Sequence, residues 1–193
     1  MKNPLLMAAA TLLTLGLAHT GSAQGQQGRG APPAAPTITT LAGDVQADWA
    51  IHKDLLVNAA DAMPADKFGY KPTPAQRSYG EQIMHVVGAD QSVVGMLGGK
   101  TPAPAINLKA ATKADVMTAL RQSMDYFEVV LKEFTDQQLN ERVAAGAGGT
   151  GPSASRLRLV YASIAHSLDI YGQMVVYLRL NGIVPPASRR GGL

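Results

Sequence analysis

The sequence predicts an all-α protein, an antiparallel four-helix bundle. In four separate stretches, apolar residues recur every three or four positions, which is the spacing of one helix face. Turn signals separate these stretches, and no alternating strand pattern accompanies them. Four amphipathic helices with connections of moderate length bury their apolar stripes by packing as a bundle.

The first two helices have clear ends. The first is predicted over residues 41–63 and stops at Pro64, because proline cannot continue a helix. Its apolar stripe consists of Leu41, Val45, Trp49, Leu56, Ala59 and Met63. The second starts at Ser78, which forms a capping box with Glu81, and runs to about residue 97, where two glycines end it.

The last two helices are equally well marked. Thr112, followed by Asp115, predicts the cap of the third helix. The third stripe consists of Val116, Leu120, Met124, Phe127, Leu131 and Phe134. After a glycine-rich connection (146–152), the fourth helix is predicted over 153–180, and an Asn-Gly pair forms its C-terminal stop.

The N-terminus predicts export. Residues 1–23 contain a basic start, an apolar core (Leu5–Leu17) and small residues before a cleavage point, so we interpret them as a signal peptide. An uncleaved interfacial helix is the alternative, because thirteen apolar residues are too few to span a bilayer. A Gly/Gln/Pro-rich leader (24–38), the bundle domain (39–188) and a short tail (189–193) follow. We expect a periplasmic or secreted protein without a stable membrane span.

Composition narrows the chemistry. The chain has no cysteine, which excludes disulfides, a thiol nucleophile and thiolate metal ligands. Its formal net charge is +3, and no basic run interleaved with aromatic residues occurs. Nucleic acid is therefore not an expected partner.

Three histidines fall on helix faces that carry apolar residues. They are His52, His85 and His166, on the first, second and fourth predicted helices. Bundles build metal sites from side chains that converge from facing helices, and neutral imidazole binds zinc, nickel, iron and copper. A single histidine on an apolar face is also commonly an ordinary hydrogen-bonded core residue. The spacing of residues within each helix does not show whether the three histidines lie at the same height along the bundle axis.

Two segments resemble the DinB-like family of metal-dependent four-helix-bundle proteins. They are AMPADKFGYKPTPAQRSYGEQIMHV (Ala62 to Val86) and HSLDIYGQMVVYLRLNGIVPPAS (His166 to Ser188). The resemblance spans residues 40–188. It implies a divalent metal (Zn, Ni or Fe) on one histidine of the second helix and two of the fourth. His85 and His166 match two of these ligands, but the third position is Ile170, whose alkyl side chain has no lone pair.

Several hypotheses remain open at this stage. His52, Asp169 or Gln173 could replace the missing ligand, two histidines with water could hold a metal loosely, or the site is degenerate. The family resemblance implies a metal-dependent enzyme, and characterised members include thiol-dependent transferases and isomerases. An exported protein would be separated from the cytoplasmic thiols that such reactions need. Hydrolysis is therefore the enzymatic hypothesis. The alternative is a non-catalytic bundle that binds a small molecule or a partner. A third hypothesis is a structural envelope protein that forms a homodimer.

Overall fold

A computed structural model of the chain describes residues 40–146 and 150–189. The predicted signal peptide (1–23) and leader (24–38) lie outside the described residues, and so does the tail from residue 190 onward. Within the described part, no helix combines the length and the hydropathy that crossing a bilayer requires.

Four long helices form the molecule, as the apolar periodicity predicts. The helices are α1 (Leu41–Ala62), α2 (Tyr79–Leu97), α3 (Lys113–Leu131), α4 (Asp136–Asn140) and α5 (Arg156–Leu180), and the strands are β1 (Arg142–Ala144) and β2 (Ser153–Ser155). Short 3₁₀ segments cover Ala65–Lys67 and Pro186–Ser188. The all-α bundle is therefore confirmed, with one short helix and a small antiparallel hairpin added.

Each long helix packs against two others. α1 contacts α3 and α5, and α2 contacts the same two helices. Near the start of α1, the ring of Trp49 stacks on Phe127, near the end of α3, with ring centroids 3.9 Å apart. At the other end, the Lys113 ammonium at the start of α3 pairs with the Asp61 carboxylate at 3.3 Å. α1 and α3 therefore run antiparallel, with the apolar stripes of both helices buried between them.

Two of the other three pairs of neighbouring helices, α1–α5 and α2–α3, run parallel. Tyr161, near the start of α5, donates a 2.8 Å hydrogen bond to Asp48, near the start of α1, so these helices run in the same direction. Just beyond the ends of α2 and α3, the Thr101 amide donates to Glu133 at 2.9 Å, which makes this pair parallel as well. The long connection over residues 98–112 allows α3 to start again beside the start of α2.

The capping box at the start of α2 forms as predicted. The Ser78 hydroxyl accepts a hydrogen bond from the Glu81 amide at 3.2 Å, and the Glu81 carboxylate accepts from the Ser78 amide at 2.6 Å. The hydrogen bond from the Ser78 amide and the nearby Lys71 ammonium hold the pKa of Glu81 below its usual range. These bonds satisfy two amides that the helix itself leaves without a partner.

Replacing Ser78 by Ala is expected to lower the free energy of unfolding by about 1 kcal/mol, because the cap oxygen is lost. Urea unfolding followed by circular dichroism measures this change. Ser78→Asp serves as the control, because it keeps an oxygen that can cap the helix and should stay close to native stability. Equal losses in both variants would contradict a capping role.

The fourth predicted helix, α5, starts three residues later than expected. Residues 153–155, predicted as its first turn, instead form β2 and pair with β1. The Ser155 hydroxyl accepts from the Arg158 amide at 3.2 Å, and a cap of this kind requires an extended backbone at the serine itself. The predicted stop is confirmed, since Gly182 adopts a left-handed conformation with φ of +73°.

Candidate functional site

Polar groups meet at four levels along the seam between α2 and α5. From the loop before α2 towards the middle of the bundle, the pairs are the backbone carbonyl of Arg77 with the Tyr177 hydroxyl, Gln82 with Gln173, His85 with His166, and Asp90 with Ser163. Residue numbers rise along α2 and fall along α5, so the two helices are antiparallel. This register brings the two histidines to one level, a point that the sequence leaves undecided.

The imidazoles of His85 and His166 form the centre of the candidate site. Their ring centroids lie 4.9 Å apart with an interplanar angle of 79°, and both side chains are half-buried. Burial, followed by the charges of Arg77 and His166, lowers the pKa of His85. A neutral imidazole keeps a nitrogen lone pair free for a metal or a hydrogen-bond donor.

An open cleft gives ligands access to His85. It has a volume of about 580 Å³ and is bordered by His85, Met84 and the loop that carries Lys71 and Arg77. The Lys71 ammonium is paired with Glu81 at 3.0 Å, so the cleft wall carries both signs of charge. Small molecules can therefore reach His85 from solvent.

Ile170 occupies the place of the third ligand. It lies one helical turn after His166 and is 3% exposed, so an alkyl group fills this position in the core. Across residues 40–146 and 150–189, no three His, Cys, Asp or Glu side chains are grouped so that they could hold a metal ion. Because tight zinc sites use three or four protein ligands, the residues present do not fit the three-histidine centre that the resemblance implies.

None of the three substitute ligands completes the site. The ring of His52 contacts Trp49 instead, with centroids 5.3 Å apart. Asp169 is exposed and accepts a hydrogen bond from the Gln173 amide at 3.1 Å. The carbonyl oxygen of Gln173 in turn accepts from Gln82 at 2.7 Å. The two side chains that neighbour Ile170 on α5 are thus engaged with each other and with α2.

Asp90 is a buried residue that the sequence analysis missed. Its side chain is completely buried, one carboxylate oxygen accepts from the Ser163 hydroxyl, and the other has no partner among the described residues. Burial raises the pKa of Asp90 to about 7, against the opposing effect of the Ser163 hydrogen bond. The available signal was its phase, since Asp90 lies in step with Ile83, Val87, Val94 and Leu97 on the buried face of α2.

Comparison with known proteins gives the family. A sequence model of the DinB superfamily matches residues 46–174, which is more than half of the chain. The uncharacterized protein YjoA from Bacillus subtilis (strain 168) is 19% identical over 131 residues, covering 68% of this chain and 84% of its own length.

Solved structures agree on the fold. A crystal structure of a DinB-like protein from Bacillus cereus covers 78% of this chain and 98% of its own, with a TM-score of 0.65 and 19% identity. The crystal structure of the DinB-like protein YjoA from Bacillus subtilis covers 72% and 92%, with a TM-score of 0.57 and 16% identity. Since the family match spans the helices that carry the histidine pair, this chain belongs to the DinB superfamily.

Proposed function

We propose that this protein is a non-catalytic, exported DinB-superfamily bundle that binds a small molecule and has lost the metal site of the family. The observation that carries the proposal is the buried side chain of Ile170 one turn after His166. A branched alkyl group in the third ligand position supplies no lone pair for a metal. Export rests on the sequence of residues 1–23.

The surroundings of the two histidines support this proposal. Histidines that bind metals almost always donate their second ring N–H to a carboxylate, a carbonyl or water, which fixes the orientation of the ring. Among the described residues, neither His85 nor His166 is hydrogen-bonded to a carboxylate, and their nearest ring neighbour is each other. The His85 imidazole, which lines an open cleft, suits hydrogen bonding to a ligand.

The native protein is expected to bind no stoichiometric zinc or nickel. Protein purified without a chelating tag should contain no retained metal, and a saturating metal supplement should leave its melting temperature unchanged, because a ligand that binds only the folded state would raise it. Elemental analysis and thermal unfolding measure these two quantities.

The double variant His85→Ala/His166→Ala is the matched control. If the native protein holds one equivalent of metal and the double variant holds none, the proposal of a lost metal site is wrong. Equal, negligible metal content in both proteins supports it. Because both positions are half-buried, we expect the control to fold.

A metal-dependent hydrolase is the second candidate function. One observation favours it, the 4.9 Å approach of the two imidazoles from facing helices. Two protein ligands would leave the remaining positions of a divalent ion to water. The same metal analysis separates the two candidates, since this second one requires metal that depends on His85 and His166.

A further inference from the structure

A groove follows the seam between the parallel helices α1 and α5. Its volume is about 420 Å³, within the range of roughly 300–1,000 Å³ that small-molecule pockets occupy. Its apolar walls consist of Ile51, Leu55, Ile164, Ala165 and Leu168. Ile51 and Leu168 are 59% and 40% exposed, so they form a rim open to solvent.

A polar side chain without a partner lies at the bottom of this groove. His52 lines the groove but is only 2% exposed, and neither of its ring nitrogens has a hydrogen-bond partner among the described residues. Burial lowers the pKa of His52 to about 4, so the ring is neutral near pH 7. It offers one N–H donor and one acceptor, both unused in the folded protein. A ligand that pairs with the ring removes the cost of leaving these atoms unpaired.

The charges around the groove select against anions. At one end, Tyr161 donates to the Asp48 carboxylate at 2.8 Å. Ile51 and Leu55 also line a neighbouring cavity of about 290 Å³, together with Asp54 and Tyr171. Neither set of lining residues in the described chain contains a lysine or an arginine. An anion would therefore meet carboxylates without a compensating cation.

We propose that the groove between α1 and α5 binds a small, uncharged and largely apolar alcohol or phenol, whose hydroxyl group pairs with the imidazole of His52. A hydroxyl can pair with either ring nitrogen, because it can donate to the acceptor nitrogen or accept from the N–H, whereas an ammonium group can only donate. The apolar walls take the hydrocarbon body. This inference rests on the proposed function as a small-molecule-binding bundle, and it adds a second site, separate from the cleft at His85, together with its ligand class.

The single tryptophan provides a local reporter for the experiment. Trp49 is the only tryptophan of the chain, and its ring centroid lies 5.3 Å from that of His52. Titration of the purified protein with 4-methylphenol should therefore shift the NMR signal of the Trp49 indole N–H, and the shift should saturate. Its isostere 1,4-dimethylbenzene, which lacks the hydroxyl, should bind about tenfold more weakly. The anion 4-methylbenzoate should not compete.

Three variants locate the site. Leu168→Arg places a charged side chain on the rim and should abolish binding, whereas Leu108→Arg, at another exposed apolar position in the α2–α3 connection, should leave it unchanged. His52→Leu removes the polar group, so 4-methylphenol and 1,4-dimethylbenzene should bind this variant equally well. Circular dichroism confirms that each variant is folded.

The proposal is overturned by any of three results. These are no saturable shift with 4-methylphenol, equal affinities of the native protein for the two probes, or unchanged binding in Leu168→Arg. Sedimentation provides a further check. A native dimer that Leu168→Arg dissociates, together with no probe binding, would assign the groove to a second copy of the chain. None of these results depends on the metal content of the histidine pair, so failure here is distinct from failure of the lost metal site.

Discussion

Replacing Ile170 by His is expected to raise the zinc affinity of the protein by more than about 100-fold. The new imidazole would lie one turn after His166 and join the pair that already approaches to 4.9 Å. Three nitrogen ligands with one open position form a complete zinc site, whereas two do not. Loss of a residue that is hydrogen-bonded to a zinc ligand lowers the metal affinity about 10–100-fold. The gain of a direct ligand should have a larger effect.

Competition with a zinc-binding dye measures this gain, and thermal unfolding with and without zinc provides a second readout. A buried histidine at position 170 should lower the stability of the metal-free variant, and zinc should restore it by binding only the folded state. The control Val184→His adds a histidine at an exposed apolar position and should show no gain. The gain should also disappear in Ile170→His/His85→Ala. A folded Ile170→His variant without a gain would mean that the pair is not arranged as a ligand set.

Local chemistry explains which parts of the fold the sequence predicts well. The start of α2 depends on Ser78 and Glu81, three residues apart, and the stop of α5 depends on Gly182, so neither needs information from the rest of the chain. The β1–β2 hairpin is only three residues per strand. Strands this short carry no periodic signal, so residues 153–155 were wrongly predicted as helix.

Properties that depend on helix pairing were harder to predict. The resemblance supplied His85 and His166 as partners, but their meeting depends on the register of α2 against α5, which spacing within one helix does not contain. The parallel direction of α1 and α5 depends on the length of the connection between α2 and α3. His52 was considered with the other two histidines, yet this packing turns it towards the α1–α5 groove. The burial of Asp90 follows from its phase on α2, where it lies in step with the apolar residues of the buried face.

Two buried titratable groups should give the protein opposite pH dependences of stability. Burial lowers the pKa of His52 from 6.5 to about 4. Within that interval the unfolded chain binds the proton and the folded chain does not. The stability that the folded protein gains from a neutral His52 is therefore fully present above pH 6.5, and it is lost as the pH falls towards 4.

Asp90 behaves in the opposite sense. Burial raises its pKa from 3.8 to about 7, although the hydrogen bond from Ser163 acts against this shift. Between these values the folded chain holds the proton and the unfolded chain releases it. The stability that the folded protein gains from a protonated Asp90 is therefore fully present below pH 3.8, and it is lost as the pH rises to 7. The two effects have opposite signs and cancel between about pH 4 and 6.5, so the two groups together should change the stability of the native protein little in this range.

His52→Leu should expose the effect of Asp90. Its free energy of unfolding, relative to the native protein, should fall by about 1.4 kcal/mol for each pH unit gained between pH 4 and 6.5. Leucine also removes two unpaired buried nitrogens, which should make the variant more stable than the native protein at pH 5. Urea unfolding at intervals of half a pH unit measures the curve. A difference curve that is flat over this range would contradict the assignment to His52.

Asp90→Asn should expose the effect of His52 and give the opposite slope. Asparagine keeps the shape of the side chain and can still accept from Ser163, but it does not titrate. Relative to the native protein, the variant should gain about 4 kcal/mol between pH 4 and pH 8, because the native carboxyl must ionise in the core over this range. Exposed carboxylates with lowered pKa, such as Glu81 and Glu133, are shared by both proteins and cancel in the difference. The double variant should return to a flat curve, since neither buried group then titrates; a remaining slope would place the linked proton elsewhere.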